Sequence, residues 1–165
     1  MERIWNYLFY LQFRKLENYS LKFVHKPIQN IYFYLFPKKN YRKSDMDNAY
    51  YTFINNRKNG LNLGFAFRFM NLTTTIFYGI ILLYFNVIIG HKVKEDFKYF
   101  LIGAFLLSYA TNYWFLWRND TYLKYFQQFE KETFSRWNYM YLFLFHAGIL
   151  IFGIVSIHMT IGFNF

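Results

Sequence analysis

Three stretches of the chain, Phe69–Ile89, Tyr99–Trp117 and Tyr139–Ile161, contain no Asp, Glu, Lys or Arg. Each has about the 20 residues that an α-helix needs to cross a hydrocarbon core of roughly 30 Å. A soluble domain can bury one such run as a core helix, but three of spanning length point to a membrane protein. The nearly neutral mean hydropathy hides this, because apolar residues and charges occupy different segments. The expected fold is an all-α integral membrane protein. Its three transmembrane helices occupy residues 69–165, preceded by an amphipathic, basic, interfacial helical arm over residues 1–68. A further interfacial helix is expected near 120–134, capped by Asn119 or Asp120, with Tyr122, Leu123, Phe126 and Phe129 on its apolar face.

The charges outside these stretches are unevenly placed. Of the 19 Lys and Arg residues, twelve precede the first stretch, three lie in 90–98, four in 118–138, and none follows. With the N-terminus inside, sixteen fall on the inner side and three on the outer. The positive-inside bias therefore predicts N-in, C-out. No cleavable signal peptide is expected, since the first apolar span begins near residue 69. Cysteine is absent, which excludes disulfides, thiolate catalysis, zinc–cysteine sites and iron–sulfur ligation.

Within the arm, residues 2–19 set Ile4, Trp5, Leu8, Leu11, Leu16 and Tyr19 on one helical face and Arg3, Asn6, Arg14, Glu17 and Asn18 on the other. That pattern suits a helix lying in the interface plane, although Gln12 and Lys15 intrude on the apolar side. Pro27 and Pro37 bracket Ile28–Phe36, too short to span. A second helix is expected from an N-cap at Ser44, with Asp45 and Asp47 in its first turn and a stripe of Met46, Ala49, Tyr50, Phe53 and Ile54. Arg57 and Lys58 stand in its last turn, and Gly60 stops it. Lys38, Lys39, Arg42, Lys43, Arg57, Lys58 and Arg68 are candidate contacts for anionic phospholipids, cardiolipin-like ones in particular. Nucleic acid also attracts such clusters, but their place beside a membrane span favours lipid, and no nucleic-acid partner is expected.

The spans carry only mildly polar residues. Ala104, Ser108 and Asn112 recur every fourth residue on one face of the second span, and Gly148 and Gly153 mark the third. These are candidate helix-packing residues, because small side chains allow close approach and Asn or Ser can hydrogen-bond across a contact. No carboxylate or lysine lies at membrane depth, which disfavours ion or proton translocation by this chain alone. Trp5, Trp114, Trp117 and Trp137 fall near the expected interfaces, where such rings anchor helices. His146 and His158 share the third span, about 18 Å apart along the axis, and are the candidate haem ligands. Neither a metal site nor a catalytic constellation is legible, and no cofactor is expected beyond the alternative of a haem b or quinone shared with partner subunits.

Phe, Tyr, Met, Ile, Asn and Lys make up 87 of the 165 residues, against 22 for Gly, Ala, Arg and Pro. The first group uses AT-rich codons and the second GC-rich ones, so the gene is read as coming from a strongly AT-rich genome. In this composition the chain resembles the orphan membrane subunits encoded by ciliate-type mitochondrial genomes. The resemblance implies a mitochondrial inner-membrane location; a bacterial inner membrane is the alternative. Three spans with a basic inner arm also resemble the anchor subunits of succinate dehydrogenase. That likeness implies quinone and haem binding through a span-two histidine and an inner Ser/Arg/Tyr/Asp set. Here the second span has no histidine, and Asp120-Thr121-Tyr122 loosely echoes the family's Asp-Tyr pair. The function expected is a non-catalytic structural or accessory subunit of a multi-subunit membrane complex, a mitochondrial respiratory complex foremost, with other membrane subunits as partners. The alternatives are a haem- or quinone-binding anchor and a component of a bacterial membrane transport or defence system.

Overall fold

A computed structural model describes residues 1–35, 43–89, 93–135 and 137–162, with the side chains at 43–44, 86–87, 89, 93–97, 157 and 159–162 left out of that description. Among the described residues every regular element is helical. The helices are α1 (Glu2–Ser20), α2 (Lys26–Leu35), α3 (Lys43–Phe53), α4 (Leu61–Ile89), α5 (Val93–Asn112), α6 (Thr121–Phe129) and α7 (Asn138–Gly162). Three regions, Leu61–Phe85, Lys98–Phe129 and Asn138–Ser156, are helical, long and apolar enough to cross a membrane, as an integral membrane protein requires. Only 28%, 22% and 22% of their apolar windows is buried within the chain. Their remaining apolar surface needs hydrocarbon or another protein against it.

α1 is the largest departure from expectation. Leu8, Phe9, Tyr10, Leu11, Gln12 and Phe13 are all buried, six consecutive residues that together face every direction around the helix. A helix buried all round is a core helix, not an interfacial one. It is enclosed by Leu63, Ala66 and Met70 of α4, Tyr122, Phe126 and Phe129 of α6, Leu116, and Leu142 of α7. The Phe126 ring lies 5.6 Å from Phe9, 5.1 Å from Tyr10 and 5.3 Å from Phe13, within the range of favourable aromatic pairs. The expected apolar face is accordingly only half right. Leu8 and Leu11 are buried, but Ile4 and Tyr19 are 66% and 53% exposed, while Asn6, assigned to the polar side, is fully enclosed. The boundary expected between residues 68 and 69 falls inside α4, which begins at Leu61.

Two wide π-turns adapt the long helices. The first, Leu21–His25, joins α1 to α2 without a break in helical backbone angles. It lies just before Pro27, whose ring would clash with the carbonyl four residues back in an ordinary α-helix. Widening the turn lets Lys26 N–H reach the Leu21 carbonyl and carries the helix past the proline. The segment bracketed by the prolines is therefore an extension of the α1 rod. The second, Tyr113–Trp117, ends α5 and leaves the Phe115 carbonyl to accept from Asn6 Nδ2 at 2.9 Å, which satisfies the amide nitrogen of that buried side chain while its Oδ1 has no partner among the described residues.

After that turn the chain reverses at Asn119 and Asp120, with φ of 57° and 53°. Asn and Asp adopt this left-handed conformation more readily than most residues. Asp120 stands at the α6 N-cap position without a side-chain capping bond, so these residues serve by backbone shape. α6 ends at Phe129, five residues short of the expected 134; Tyr122, Phe126 and Phe129 are buried. α3 likewise ends at Phe53, so Arg57 and Lys58 lie in the following turn, not in a last helical turn. Asn56 Oδ1 organises that turn by accepting from the N–H groups of Lys58 and Asn59, at 2.8 and 3.3 Å. A side chain on Gly60 would meet Asn56 backbone atoms at 2.4 Å, so only glycine fits there. The helix opens at Lys43, one residue before the expected Ser44 cap.

Candidate functional site

α4 and α5 pair more extensively than any other two helices. Ala104, Ser108 and Asn112 point into that pairing, and all three are buried. Asn112 donates to Asn71 Oδ1 at 2.6 Å and to Thr74 Oγ1 at 2.9 Å, and its own oxygen accepts from Trp5 Nε1 at 2.9 Å. Ser108 donates to the Asn71 carbonyl at 2.9 Å and meets the Thr74 hydroxyl at 2.5 Å. Tyr78 and Thr111 hydroxyls add a contact at 2.7 Å. The asparagine thus uses both amide hydrogens and its carbonyl, as a polar group enclosed at membrane depth must. Trp5 carries the network into α1 and ties the core helix to the second span. This is an assembly of neutral amides and hydroxyls, suited to fixing helix register.

The two glycines of α7 differ. A Cβ on Gly153 would meet Ile80 Cδ1 at 3.1 Å, marking a close α4–α7 approach. Gly148 has nothing within 4 Å of that position. It lines an apolar cavity of about 370 Å³ with Trp5, Thr74, Phe77, Phe145, Ile149 and Phe152. The expectation of a packing role for Gly148 gives way to that of a gap beside α7.

His146 is held against α4. The Thr73 hydroxyl donates to the Phe69 carbonyl at 2.9 Å, so its lone pair is what faces His146 Nδ1 at 3.1 Å. With the Thr73 proton on that carbonyl, the contact suits a proton on Nδ1 and a lone pair on Nε2. Nε2 is enclosed and has no hydrogen-bond partner among the described residues. The rings of Phe145 and Phe69 pack beside it, at 5.3 and 6.4 Å. His158, far along the same helix, is exposed. Among the described residues no group of three His, Asp or Glu could hold a metal ion.

The candidate lipid cations do not converge. Lys38, Lys39 and Arg42 lie outside the described residues, and of Lys43 only the backbone is described. The Arg57 guanidinium is paired with Glu130, and its carbonyl accepts from Tyr122 OH at 3.1 Å, which makes it a strut between the α3–α4 turn and α6. Lys58 is exposed, and exposed Arg68 lies over the Phe65 ring at 5.8 Å. The tryptophans divide as well. Trp114 and Trp137 are exposed, whereas Trp117 packs edge-on against Phe67 in the core and Trp5 joins the α4–α5 network. A cation–π contact of Arg118 over Trp114 at 4.0 Å was not foreseen from the sequence.

A second polar cluster joins the α1 rod to α3 and α4. His25 Nε2 meets Asp47 Oδ1 at 2.7 Å, and Tyr50 OH meets Ser20 Oγ at 2.6 Å. Asn62 donates to Ser20 Oγ at 2.8 Å, and Asn55 donates to Glu17. Burial pushes the Tyr50 hydroxyl above the ordinary tyrosine range, so it stays neutral at every physiological pH. Burial also works against the charge of Arg14, but the adjacent Glu17 carboxylate outweighs it and holds the guanidinium above its usual value. Compared with protein-family models, with curated proteins and with solved structures, the chain has no match.

Proposed function

We propose that this protein is a non-catalytic structural subunit of a larger membrane assembly. The observation that carries the reading is a row of large apolar side chains on the α1–α2 rod, outside the three spans. Phe23, Ile28, Ile31, Tyr34 and Leu35 are 61%, 55%, 59%, 84% and 59% exposed. Patches of this kind mark surfaces meant to be covered by protein or membrane. The polar groups of the spans support the same reading, since those of the α4–α5 seam are spent on holding helices together. The AT-rich-type composition favours a mitochondrial inner membrane and with it a respiratory complex, and the excess of Lys and Arg before the first span favours an inside N-terminus. Affinity purification in a mild detergent, followed by native electrophoresis, tests the proposal. Migration with partner subunits in one stable complex is expected; a monodisperse, stable monomer would overturn it.

One observation favours the haem or quinone alternative. His146 Nδ1 is held by the Thr73 hydroxyl while Nε2 has no partner among the described residues, an arrangement like the outer hydrogen bonding that orients ligating histidines. A ligand there requires the surrounding rings to open. Visible spectra of the purified assembly, with and without H146A and H158A, decide between the readings. Loss of a haem band in H146A supports the anchor reading, and unchanged spectra in both variants remove its haem version.

A further inference from the structure

Lys15 and Lys22 lie seven residues apart on the α1 rod, on the same helical face and about 10 Å apart along the axis. Neither has an acidic partner among the described residues, whereas Arg3, Arg14 and Arg57 are each paired with a glutamate. Together with Asn18, Tyr19, Phe23 and Tyr139 they line a cavity of about 360 Å³. The nearby carboxylate, Glu17, is turned to Arg14 and Asn55.

Tyr139 stands in the first turn of α7, a 25-residue helix whose dipole makes this end weakly positive, although the Asn138 and Met140 N–H groups are bonded to the Ser135 and Trp137 carbonyls. Its hydroxyl oxygen accepts from Asn18 Nδ2 at 2.8 Å, which leaves the hydroxyl proton for another acceptor. Two ammonium groups without an acidic partner, that of Lys22 lying over the Phe23 ring at 5.2 Å, and a hydroxyl free to donate therefore line one space. Below it, Phe143, Leu150 and Ile154 continue the Tyr139 face of α7 and are 68%, 55% and 69% exposed.

We propose that this cavity seats the phosphodiester of an anionic membrane phospholipid, with its acyl chains lying along the exposed strip of α7. Lys15 and Lys22 supply the charge, the Tyr139 hydroxyl donates to a phosphate oxygen, and the Tyr19 and Phe23 rings shelter the glycerol region. The phosphate chemistry alone would suit inorganic phosphate too; the apolar strip running on from the cavity selects the lipid. The proposal rests on the three spans and not on membership of a larger assembly, so it is tested on the full chain as purified, with or without bound partner subunits.

The full chain is reconstituted with phosphatidylglycerol or phosphatidylcholine of identical acyl chains, and retained lipid is read by native mass spectrometry. Retention of phosphatidylglycerol in clear excess is expected, and K15Q/K22Q is expected to lower it about thirtyfold, given the usual worth of two basic side chains near a lipid surface. K124Q/K131Q removes the same charge elsewhere and is expected to leave retention unchanged. Y139F keeps the ring packing and is expected to lower retention about fivefold, which keeps the test decisive if the lysine variant does not fold. Retention at the wild-type level in Y139F and K15Q/K22Q would overturn the proposal, as would an equal loss in K124Q/K131Q. Displacement of the lipid by millimolar inorganic phosphate would assign the cavity to free phosphate and overturn the lipid site.

Discussion

Two regions of this molecule are held together in different ways. Around the N-terminal helix, α1 is surrounded by α4, α6 and α7, and aromatic rings interlock around Phe126. Along the spans the helices bury only about a quarter of their apolar windows, and contact rests on small residues and a few hydrogen bonds. The contrast lies in the kind of contact: interlocking rings enclose α1, whereas a leucine facing hydrocarbon gains nothing by leaving lipid for protein, so small residues and polar contacts must hold the outward-facing helices together. The comparison predicts that the fold is organised from α1 outwards and that the spans are the more adaptable part.

Substitutions at six positions probe that contrast. F126A removes the ring at the centre of the α1 cluster and is expected to cost about 3–5 kcal/mol, seen as a large drop in the thermal midpoint of the detergent-solubilised protein. F143A, on the exposed face of α7, is expected to stay within about 0.5 kcal/mol. A loss in F143A comparable to that in F126A would break the contrast. N112A strands the Trp5 N–H and the Asn71 oxygen and is expected to cost about 1–3 kcal/mol. Measured by unfolding in mixed micelles, it sharpens the claim that polar contacts hold α4 to α5. N119A forces alanine into a left-handed conformation, at about 1–2 kcal/mol, while N119G is expected to keep wild-type stability in the same assay. G153A is expected to cost about 1 kcal/mol from crowding Ile80, and G148A to be neutral because its cavity has room.

Much of this was legible in the residues. Charge exclusion from a span is close to an absolute constraint, so the three helices could be read directly. The i, i+4 spacing of Ala104, Ser108 and Asn112 needs only helical geometry, and it identified the face that meets α4. The place of α1 was harder to read because amphipathic patterning assumes one buried face. The run Leu8–Phe13, apolar but for Gln12, was a signal of burial on all sides, obscured by the charges at both ends of the helix. The Thr73–His146 pairing was not legible, since it depends on how α4 and α7 are rotated against each other. The lysine pair was passed over for a similar reason. Lys15 looked like an intruder on an apolar stripe until α7 was brought alongside it.

The central claim, that α1 is the core of the molecule and not an arm lying on a surface, is tested most directly by hydrogen–deuterium exchange of the intact protein in mild detergent. The account predicts that the amides of Leu8–Phe13 are protected as strongly as those of α4 and α7, and that protection falls in α2. Rapid exchange of Leu8–Phe13, at rates matching α2, would contradict it.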